Sequence, residues 1–225
     1  GHHTQALGRN TGRIQCLLPG NGLRWGHAHQ DAGAAFGEQH HGQLVLQSHA
    51  QHAVGLLVVA HALRARHDAI LVGSGTVLAD DPELTAREGE VTRQPLRVIL
   101  DAHGRVPSTA RVFSAPGRTV CLTREQIAVD AAGRLHLPAV LAWMGGAELN
   151  EVWTEAGATL AGSLIAANLV DELVIYLAPM LLGSEGRPLA ALQIGRLLDA
   201  SRWQTTDLRQ IGPDIRIMLR PLRSA

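Results

Sequence analysis

The chain contains no lysine, because all 20 of its basic residues are arginine. This absence excludes a Schiff-base lysine and the lysine of a nucleotide-binding P-loop. Aromatic residues are also scarce, at 3% of the 225 residues. Hydrophobic residues still make up 46% of the chain, so leucine, valine, isoleucine and alanine must fill the core. The length predicts one domain, or one domain with a tail.

Cysteines and long apolar segments are equally rare. Cys16 and Cys121 are the only two cysteines, too few for a metal cluster or a disulfide framework. No apolar run reaches the roughly 18 residues of a membrane span, and the first residues do not resemble a signal peptide. The formal net charge of zero argues against a general affinity for nucleic acid or membrane surfaces. We therefore expect a cytoplasmic protein whose partners include neither nucleic acid nor a membrane.

Histidine is concentrated at the start of the chain. Residues 1–67 contain ten of the twelve histidines but only two of the twenty acidic residues, Asp31 and Glu38. Zinc sites combine fixed ligand spacings with a packed frame, and neither is visible here, so we predict a poorly ordered segment rather than a metal site. From Ala53 to Arg66 the pattern becomes helical. The pairs that a zinc interpretation would use are His27/His29, His40/His41 and His49/His52.

A candidate ligand site follows at residues 68–87, DAILVGSGTVLADDPELTAR. Ala69–Val72 is predicted to be a buried strand, and Gly73–Thr76 is a glycine-rich turn whose backbone N–H groups can approach an anion. The carboxylates Asp80 and Asp81 come next, and we expect Asp81 to be extended because it precedes a proline. Two interpretations are open for this segment, a nucleotide site and a plain structural turn.

The rest of the chain alternates strands with helices, which is typical of a mainly parallel sheet covered on both faces. A helix is predicted from Ala156 to Asn168. The small residues at its start form a second turn after a strand, like the turn at Gly73–Thr76. Glu155 ends the preceding strand, where its carboxylate either faces a ligand or caps the helix. A closing hairpin over Thr206–Leu219, turning at Gly212–Asp214, predicts an antiparallel edge. The predicted later strands are Leu96–Asp101, Thr119–Thr123, Glu151–Glu155 and Asp171–Ala178.

A family resemblance rests on four segments: LRARHDAILVGSGTVLADDPELTAR, QPLRVILD, EAGATLAGSLIAANLVDELVIYLAPMLLG and IGPDIRIMLRP. From about Leu63 to Pro221 the chain resembles the reductase domain of the riboflavin-biosynthesis bifunctional deaminase/reductase. The resemblance implies a dihydrofolate-reductase-like three-layer α/β/α sandwich and a homodimer. It also implies NADPH-dependent reduction of 5-amino-6-(5-phosphoribosylamino)uracil to its ribityl form.

The same resemblance implies four substrate-binding residues. They are Arg64, Leu84, Arg87 and Glu155. The substrate carries a phosphate, and arginine suits a phosphate because its guanidinium group is planar and always charged. Each arginine also has an alternative role as a solvated charge. Because the cofactor supplies the hydride, the protein must mainly align the reactants and exclude water, and no dedicated nucleophile is expected.

Cofactor contacts are likewise implied by the resemblance. In dihydrofolate-reductase-like folds a hydroxyl and an arginine after a strand commonly hold the 2′-phosphate of NADPH, which points here to Thr123 and Arg124. The alternatives are a solvent-facing role for Arg124 and a phosphate contact from another arginine such as Arg118. The remaining implied cofactor residues are Thr76, Asp80, Gly157, Ala158, Thr159, Leu160, Ala161, Gly162 and Ser163.

Two departures from the family pattern bear on function. The His-x-Glu and Pro-Cys-x-x-Cys zinc signature of the deaminase half is absent from the sequence, so deamination is not expected. The opening Lys-x-Ala-x-Ser-x-Asp-Gly motif of the reductase is absent too. We therefore expect a reductase domain over residues 63–225 without its N-terminal central strand, preceded by a segment that is either read in a wrong frame or diverged. The alternative functions are a related reductase of another pyrimidine or pterin, and an inactive nucleotide-binding module.

Overall fold

A computed structural model describes the backbone of residues 13–19 and the whole of residues 60–87, 91, 93–180, 186 and 188–222. The strands are β1 (Arg13–Pro19), β2 (Ala69–Gly73), β3 (Leu96–Leu100), β4 (Thr119–Leu122), β5 (Glu151–Glu155), β6 (Glu172–Leu177), β7 (Trp203–Ile211) and β8 (Asp214–Pro221). The helices are α1 (60–66), α2 (Ser74–Asp80), α3 (Arg111–Ser114), α4 (Leu137–Gly146) and α5 (Ala158–Ala166), with a short 3-10 turn at Leu197–Asp199.

The eight strands of the described chain form one sheet, in the order β4–β3–β2–β5–β1–β6–β8–β7. Neighbouring strands from β4 to β6 are parallel, whereas β8 and β7 pair antiparallel at one edge. The predicted mainly parallel sheet with an antiparallel C-terminal hairpin is therefore confirmed. The five strands predicted ahead of the hairpin agree with β2 to β6 to within one residue at each end.

Strand β1 supplies the central strand that the sequence analysis expects to be missing, so that expectation is wrong. It lies between β5 and β6, with Gln15 opposite Trp153 and Leu17 opposite Val174. Residues Ile14–Leu18, IQCLL, form a short, mostly apolar run of the kind that suits a strand with neighbours on both sides. The family's lysine-containing motif is not needed for this strand to form. The predicted domain boundary between residues 62 and 63 stays a prediction.

Helices cover both faces of the sheet. Alternate residues of β2 point to opposite faces, so Leu71 packs with α4 and α5 while Ile70 packs with α2 and α3. The predicted three-layer arrangement is thus confirmed. Buried residues on the first face include Val98, Val140, Met144, Val152 and Leu164. Buried residues on the second face include Val77, Ile99, Val112, Trp153 and Val174.

Two helices differ from the sequence-based expectation. Helix α4 is not predicted, because its sequence, LPAVLAWMGG, is apolar on nearly all sides and gives no clear period. Helix α5 begins at Ala158 rather than Ala156, because Gly157 is its N-cap with an extended backbone, φ −68° and ψ 167°. At the other end it stops at Ala166.

None of the helices within the described ranges is long and apolar enough to cross a bilayer. The described residues also contain no group of three or more His, Cys, Asp or Glu side chains that could hold a metal ion. The predicted N-terminal helix is present at residues 60–66. Its earlier part lies outside the described residues, as do the histidine pairs His27/His29, His40/His41 and His49/His52.

Candidate functional site

The carboxyl ends of β2, β3 and β5 meet at one edge of the sheet and open into a cavity of about 1050 Å³. This is just above the roughly 300–1,000 Å³ that small-molecule and cofactor sites occupy. Open parallel sheets bind their ligands at this edge, beyond the carboxyl ends of the strands. The lining residues come from five segments, which lie within residues 73–80, 100–105, 130–137, 155–163 and 186–191.

Helix α2 forms one wall of the cavity, directly after β2. Thr76 and Asp80, two of the predicted cofactor residues, line this wall. The hydroxyl of Ser74 at the start of α2 accepts a hydrogen bond of 3.0 Å from Nη2 of Arg105. Arg105 reaches across from the end of β3, so the glycine-rich turn lies beside a cation that the sequence analysis does not single out. Its position in the loop that follows the strand LRVIL is the signal that could have identified it.

The start of α5 forms the opposite wall. Among the described side chains none caps this helix, whose N-cap is Gly157. The backbone N–H groups of its first turn are therefore open to an acceptor, and the helix dipole favours an anion there. A Cβ placed on Gly157 meets no atom within 4 Å. These features fit a phosphate of a dinucleotide. The predicted cofactor residues that line this wall are Gly157, Ala158, Thr159, Leu160 and Ser163.

The other two residues of this predicted run have packing roles. Ala161 is fully buried in the core, and Gly162 lies against residues 188–192, which we call the α5 strap. A Cβ at Gly162 would lie 2.2 Å from the carbonyl oxygen of Ala191. The N–H of Ala191 donates to the carbonyl of Ala158 over 2.8 Å, which fixes the strap on the helix. Neither residue lines the cavity, so the close approach of the strap explains the glycine.

Glu155 lies where the cavity meets the core, and its side chain is 4% exposed. Arg64 from α1 binds it with a two-pronged contact, in which Nε donates to Oε1 and Nη2 to Oε2, both over 2.6 Å. Nε1 of Trp153 donates to the same Oε1 over 3.2 Å. Burial alone would lower the pKa of Arg64, but the charge of Glu155 and its hydrogen bonds outweigh burial and raise that pKa. Of the two interpretations of Glu155, the capping one is not observed, since no side chain of the described residues caps α5.

The remaining predicted substrate residues do not line the cavity in the described structure. Arg64 is buried behind Glu155. Leu84 is 3% exposed and packs in the core on the α2 face. Arg87 is largely exposed and pairs with Glu83, with Nη1 donating to Oε2 over 2.9 Å. Glu155 is thus the only one of the four that the described structure brings to the cavity.

The predicted 2′-phosphate pair also lies outside the lining of the cavity. The hydroxyl of Thr123 donates to Oε1 of Gln126 over 2.8 Å. Nε of Arg124 donates to the carbonyl of Ala102 over 2.9 Å, and Nη2 contacts Nδ1 of His103. Because Ala102 and His103 do line the cavity, Arg124 supports the cavity wall from behind.

Arg134 is a second cavity-lining cation that the sequence analysis does not single out. Its Nη1 donates to the hydroxyl of Ser163 over 3.2 Å, which places the guanidinium group beside α5. Asp130 holds it through a contact of 3.1 Å. Hydrogen bonds from the backbone N–H groups of Arg134 and Ala132, together with this pairing, lower the pKa of Asp130. The signal in the sequence was weak, because Arg134 follows a turn and not a strand.

Asp81 differs from its expected extended conformation. Its φ of 39° and ψ of 53° are left-handed, because it is the C-cap of α2 and its N–H donates to the carbonyl of Val77 over 2.9 Å. Aspartate is one of the few residues that tolerate this conformation. Oδ1 of Asp81 accepts a hydrogen bond from the N–H of Arg111 over 2.9 Å, so the side chain shapes the loop.

Comparison with known proteins places these features in a family. The sequence pattern described as the RibD C-terminal domain matches residues 31–217. The riboflavin biosynthesis protein RibD of Escherichia coli is 38% identical over 178 residues, which cover 68% of this chain and 48% of that protein. The 5-amino-6-(5-phosphoribosylamino)uracil reductase of Buchnera aphidicola is 32% identical over 183 residues, which cover 70% of this chain and 88% of that protein.

The solved structure of Acinetobacter baumannii RibD, form 1, has the same fold, with a TM-score of 0.72 at 23% identity. The match covers 96% of this chain and 59% of that one. The chain spans about half the length of the RibD relatives it matches in sequence, at 48% and 49%. The resemblance drawn from the four sequence segments is confirmed. This chain belongs to the RibD C-terminal domain family.

Proposed function

We propose that this chain catalyses the NADPH-dependent reduction of 5-amino-6-(5-phosphoribosylamino)uracil to the ribitylamino product. The observation that supports it best is the cavity itself, which places an uncapped helix start opposite Thr76 and Asp80 and beside the buried carboxylate of Glu155. The relative from Buchnera aphidicola carries the name of this reductase, and the match covers 88% of its length.

The residues around the cavity fit a nicotinamide dinucleotide. The backbone at Gly157 and the first turn of α5 would hold a phosphate group, and Arg105 and Arg134 provide positive charge on two sides. Thr76 lies on the facing wall. The bound cofactor supplies the hydride that adds to the imine-like sugar carbon, while a proton joins the adjacent nitrogen.

The chain's own contribution is to align the reactants and keep water away. Glu155 offers a fixed carboxylate that accepts a hydrogen bond from an N–H or O–H group of the substrate. The apolar part of the wall, which includes Leu100, Leu135 and Leu160, excludes solvent from the reacting atoms. No nucleophile or metal is required by this chemistry.

The test is an NADPH-oxidation assay of the purified chain with 5-amino-6-(5-phosphoribosylamino)uracil, with the product identified by mass spectrometry. We expect substrate-dependent oxidation of NADPH and a product heavier by two hydrogens. Cofactor binding without turnover would instead indicate an inactive nucleotide-binding module. Turnover only with a different pyrimidine or a pterin would indicate the related reductase. The homodimer and the cytoplasmic location stay predictions, and light scattering of the purified protein tests the first.

A further inference from the structure

The carboxylate of Glu155 is bound far more tightly than a simple ion pair requires. Arg64 occupies both oxygens at 2.6 Å, and the Trp153 indole adds a third donor. The ring centroids of His67 and Trp153 are 5.2 Å apart and the two ring planes are tilted by 39°, so His67 packs against the indole. Glu155 therefore has one well-defined orientation at the boundary of the cavity.

The two oxygens of this carboxylate differ in how many further hydrogen bonds they can accept. Oε1 accepts from Nε of Arg64 and from Nε1 of Trp153, whereas Oε2 accepts one hydrogen bond from the described residues, from Nη2 of Arg64. A carboxylate oxygen can accept about two hydrogen bonds. Oε2 is therefore the oxygen with capacity for a donor group in the cavity.

The guanidinium group of Arg64 is held by hydrogen bonds to Glu155 and Thr85. Its Nε and Nη2 bind Glu155, its Nη1 donates to the carbonyl of Thr85 over 3.1 Å, and its side chain is 6% exposed. Three of its five N–H donors thus have protein acceptors, and the guanidinium group does not line the cavity in the described structure. These buried contacts hold the guanidinium group on the protein side of the Glu155 carboxylate.

We infer that Trp153 and Arg64 are positioning residues, which orient Glu155 so that Oε2 accepts a hydrogen bond from an N–H or O–H donor of the reacting part of the substrate. The inference rests on the proposed function and adds to it. The indole restricts rotation of the carboxylate, and the guanidinium group binds both of its oxygens. Trp153 belongs to this set because a single strand, β5, carries it two residues before Glu155 on the same face of the sheet.

The experiment compares two substrates, the phosphorylated ribosylaminouracil and its dephosphorylated form, in the parent and in Arg64→Lys and Trp153→Phe. Arg64→Lys keeps the charge but removes the two-pronged contact. Trp153→Phe keeps an aromatic ring against His67, removes the N–H donor and leaves a smaller side chain at a fully buried position. A hydrogen bond to a charged group changes a rate by on the order of tenfold or more. We expect kcat to fall about tenfold in Trp153→Phe, and further in Arg64→Lys, by the same factor for both substrates.

Two matched controls separate this role from general damage. Arg66→Lys makes the same change at an exposed arginine of the same helix. Trp203→Phe removes an indole N–H that donates over 3.1 Å to the hydroxyl of Ser201, away from the cavity lining. Both controls should retain the parent's kcat for both substrates. A purely structural role for Trp153 would lower the melting temperature of Trp153→Phe without changing kcat.

The outcomes are distinct. If Arg64→Lys loses activity only with the phosphorylated substrate, Arg64 is a phosphate ligand and the inference is overturned. If Trp153→Phe keeps the parent's kcat for both substrates, the inference is also overturned. Should Arg64→Lys fail to fold, Trp153→Phe decides alone. If the parent itself gives no turnover, the proposed function fails. Calorimetric titration with the dephosphorylated substrate then decides, since weaker binding by Trp153→Phe supports the positioning role and unchanged or absent binding overturns it.

Discussion

Two glycines five residues apart should respond differently to alanine, Gly162 in stability and Gly157 in cofactor binding. At Gly162 the added Cβ would lie 2.2 Å from the carbonyl oxygen of Ala191 and 2.7 Å from its carbonyl carbon. Both are backbone atoms, so the α5 strap must shift as a whole. At Gly157 the same Cβ meets no atom within 4 Å, and the φ of −68° suits any residue.

The size of the effect follows from these contacts. Overpacking costs about 1–3 kcal/mol, whereas alanine is about 1 kcal/mol better than glycine inside a helix. Because all three close contacts are with backbone atoms of Ala191, the upper part of the overpacking range, about 2–3 kcal/mol, applies. We therefore expect Gly162→Ala to lose roughly 1–2 kcal/mol net, or about 2–8 °C in melting temperature. At Gly157 the smaller unfolded-state entropy of alanine and its poorer N-cap propensity are each worth under about 1 kcal/mol and nearly cancel.

Thermal unfolding and NADPH titration of both variants check this expectation. Gly157→Ala should unfold like the parent but bind NADPH about tenfold to a hundredfold more weakly, because a methyl group displaces a phosphate from charged contacts worth about 1.5–3 kcal/mol. A Gly162→Ala variant as stable as the parent would refute the described seating of the strap. Unchanged NADPH affinity in Gly157→Ala would show that the start of α5 does not hold the cofactor.

Three further expectations concern charged residues. Asp81→Ala should lower the melting temperature while turnover per folded molecule stays near the parent's, and Asp80→Ala should do the reverse; equal effects of both variants on both measurements would contradict this division. Arg105→Ala should weaken NADPH binding about tenfold or more in a fluorescence titration. Arg124 lies behind the cavity wall, so Arg124→Ala should weaken binding less. The opposite ranking would support the 2′-phosphate role of Arg124. Burial would raise the pKa of Asp68, but hydrogen bonds from an arginine and two backbone N–H groups outweigh it and lower that pKa. The stability that the ionised Asp68 contributes is fully present above the unfolded pKa of about 3.9 and is lost as pH falls through the lower folded pKa. The melting-temperature difference between Asp68→Asn and the parent should therefore shrink steadily as pH falls below about 4, and a difference that stays constant over that range would contradict it.

Much of the fold could be predicted from local patterns. Strand β2 is a short apolar run that ends in glycine, and β6 is similar, so their bounds follow directly from the residues. Helix α4 could not be found in this way, because its neighbours cover several of its sides and its pattern has no period. The central strand β1 lacks the family's opening motif, and the only local signal for it is the apolar run at Ile14–Leu18.

The candidate site was predictable in its location but less so in its parts. Both turns that follow β2 and β5 do meet at the cavity, as strand ends in a parallel sheet must. Residue spacing alone could not reveal that Arg64 pairs with Glu155, because the two are 91 positions apart. It also could not separate Arg124 from Arg105, since which arginine faces a cavity depends on the path of the loops after β3 and β4.

The central position of β1 has a consequence for the order of folding. Its two partners, β5 and β6, come from the second half of the chain, and the pairing on both sides is parallel. During synthesis β1 leaves the ribosome early and stays unpaired until β5 and β6 have been made. Strands β2, β3 and β4 can pair with one another sooner. Closing such long loops is slow, because their entropy is lost before the distant contacts form. We therefore expect a late folding step in which β1 joins two partly formed halves of the sheet, and the unpaired edges before that step are the stage most exposed to aggregation.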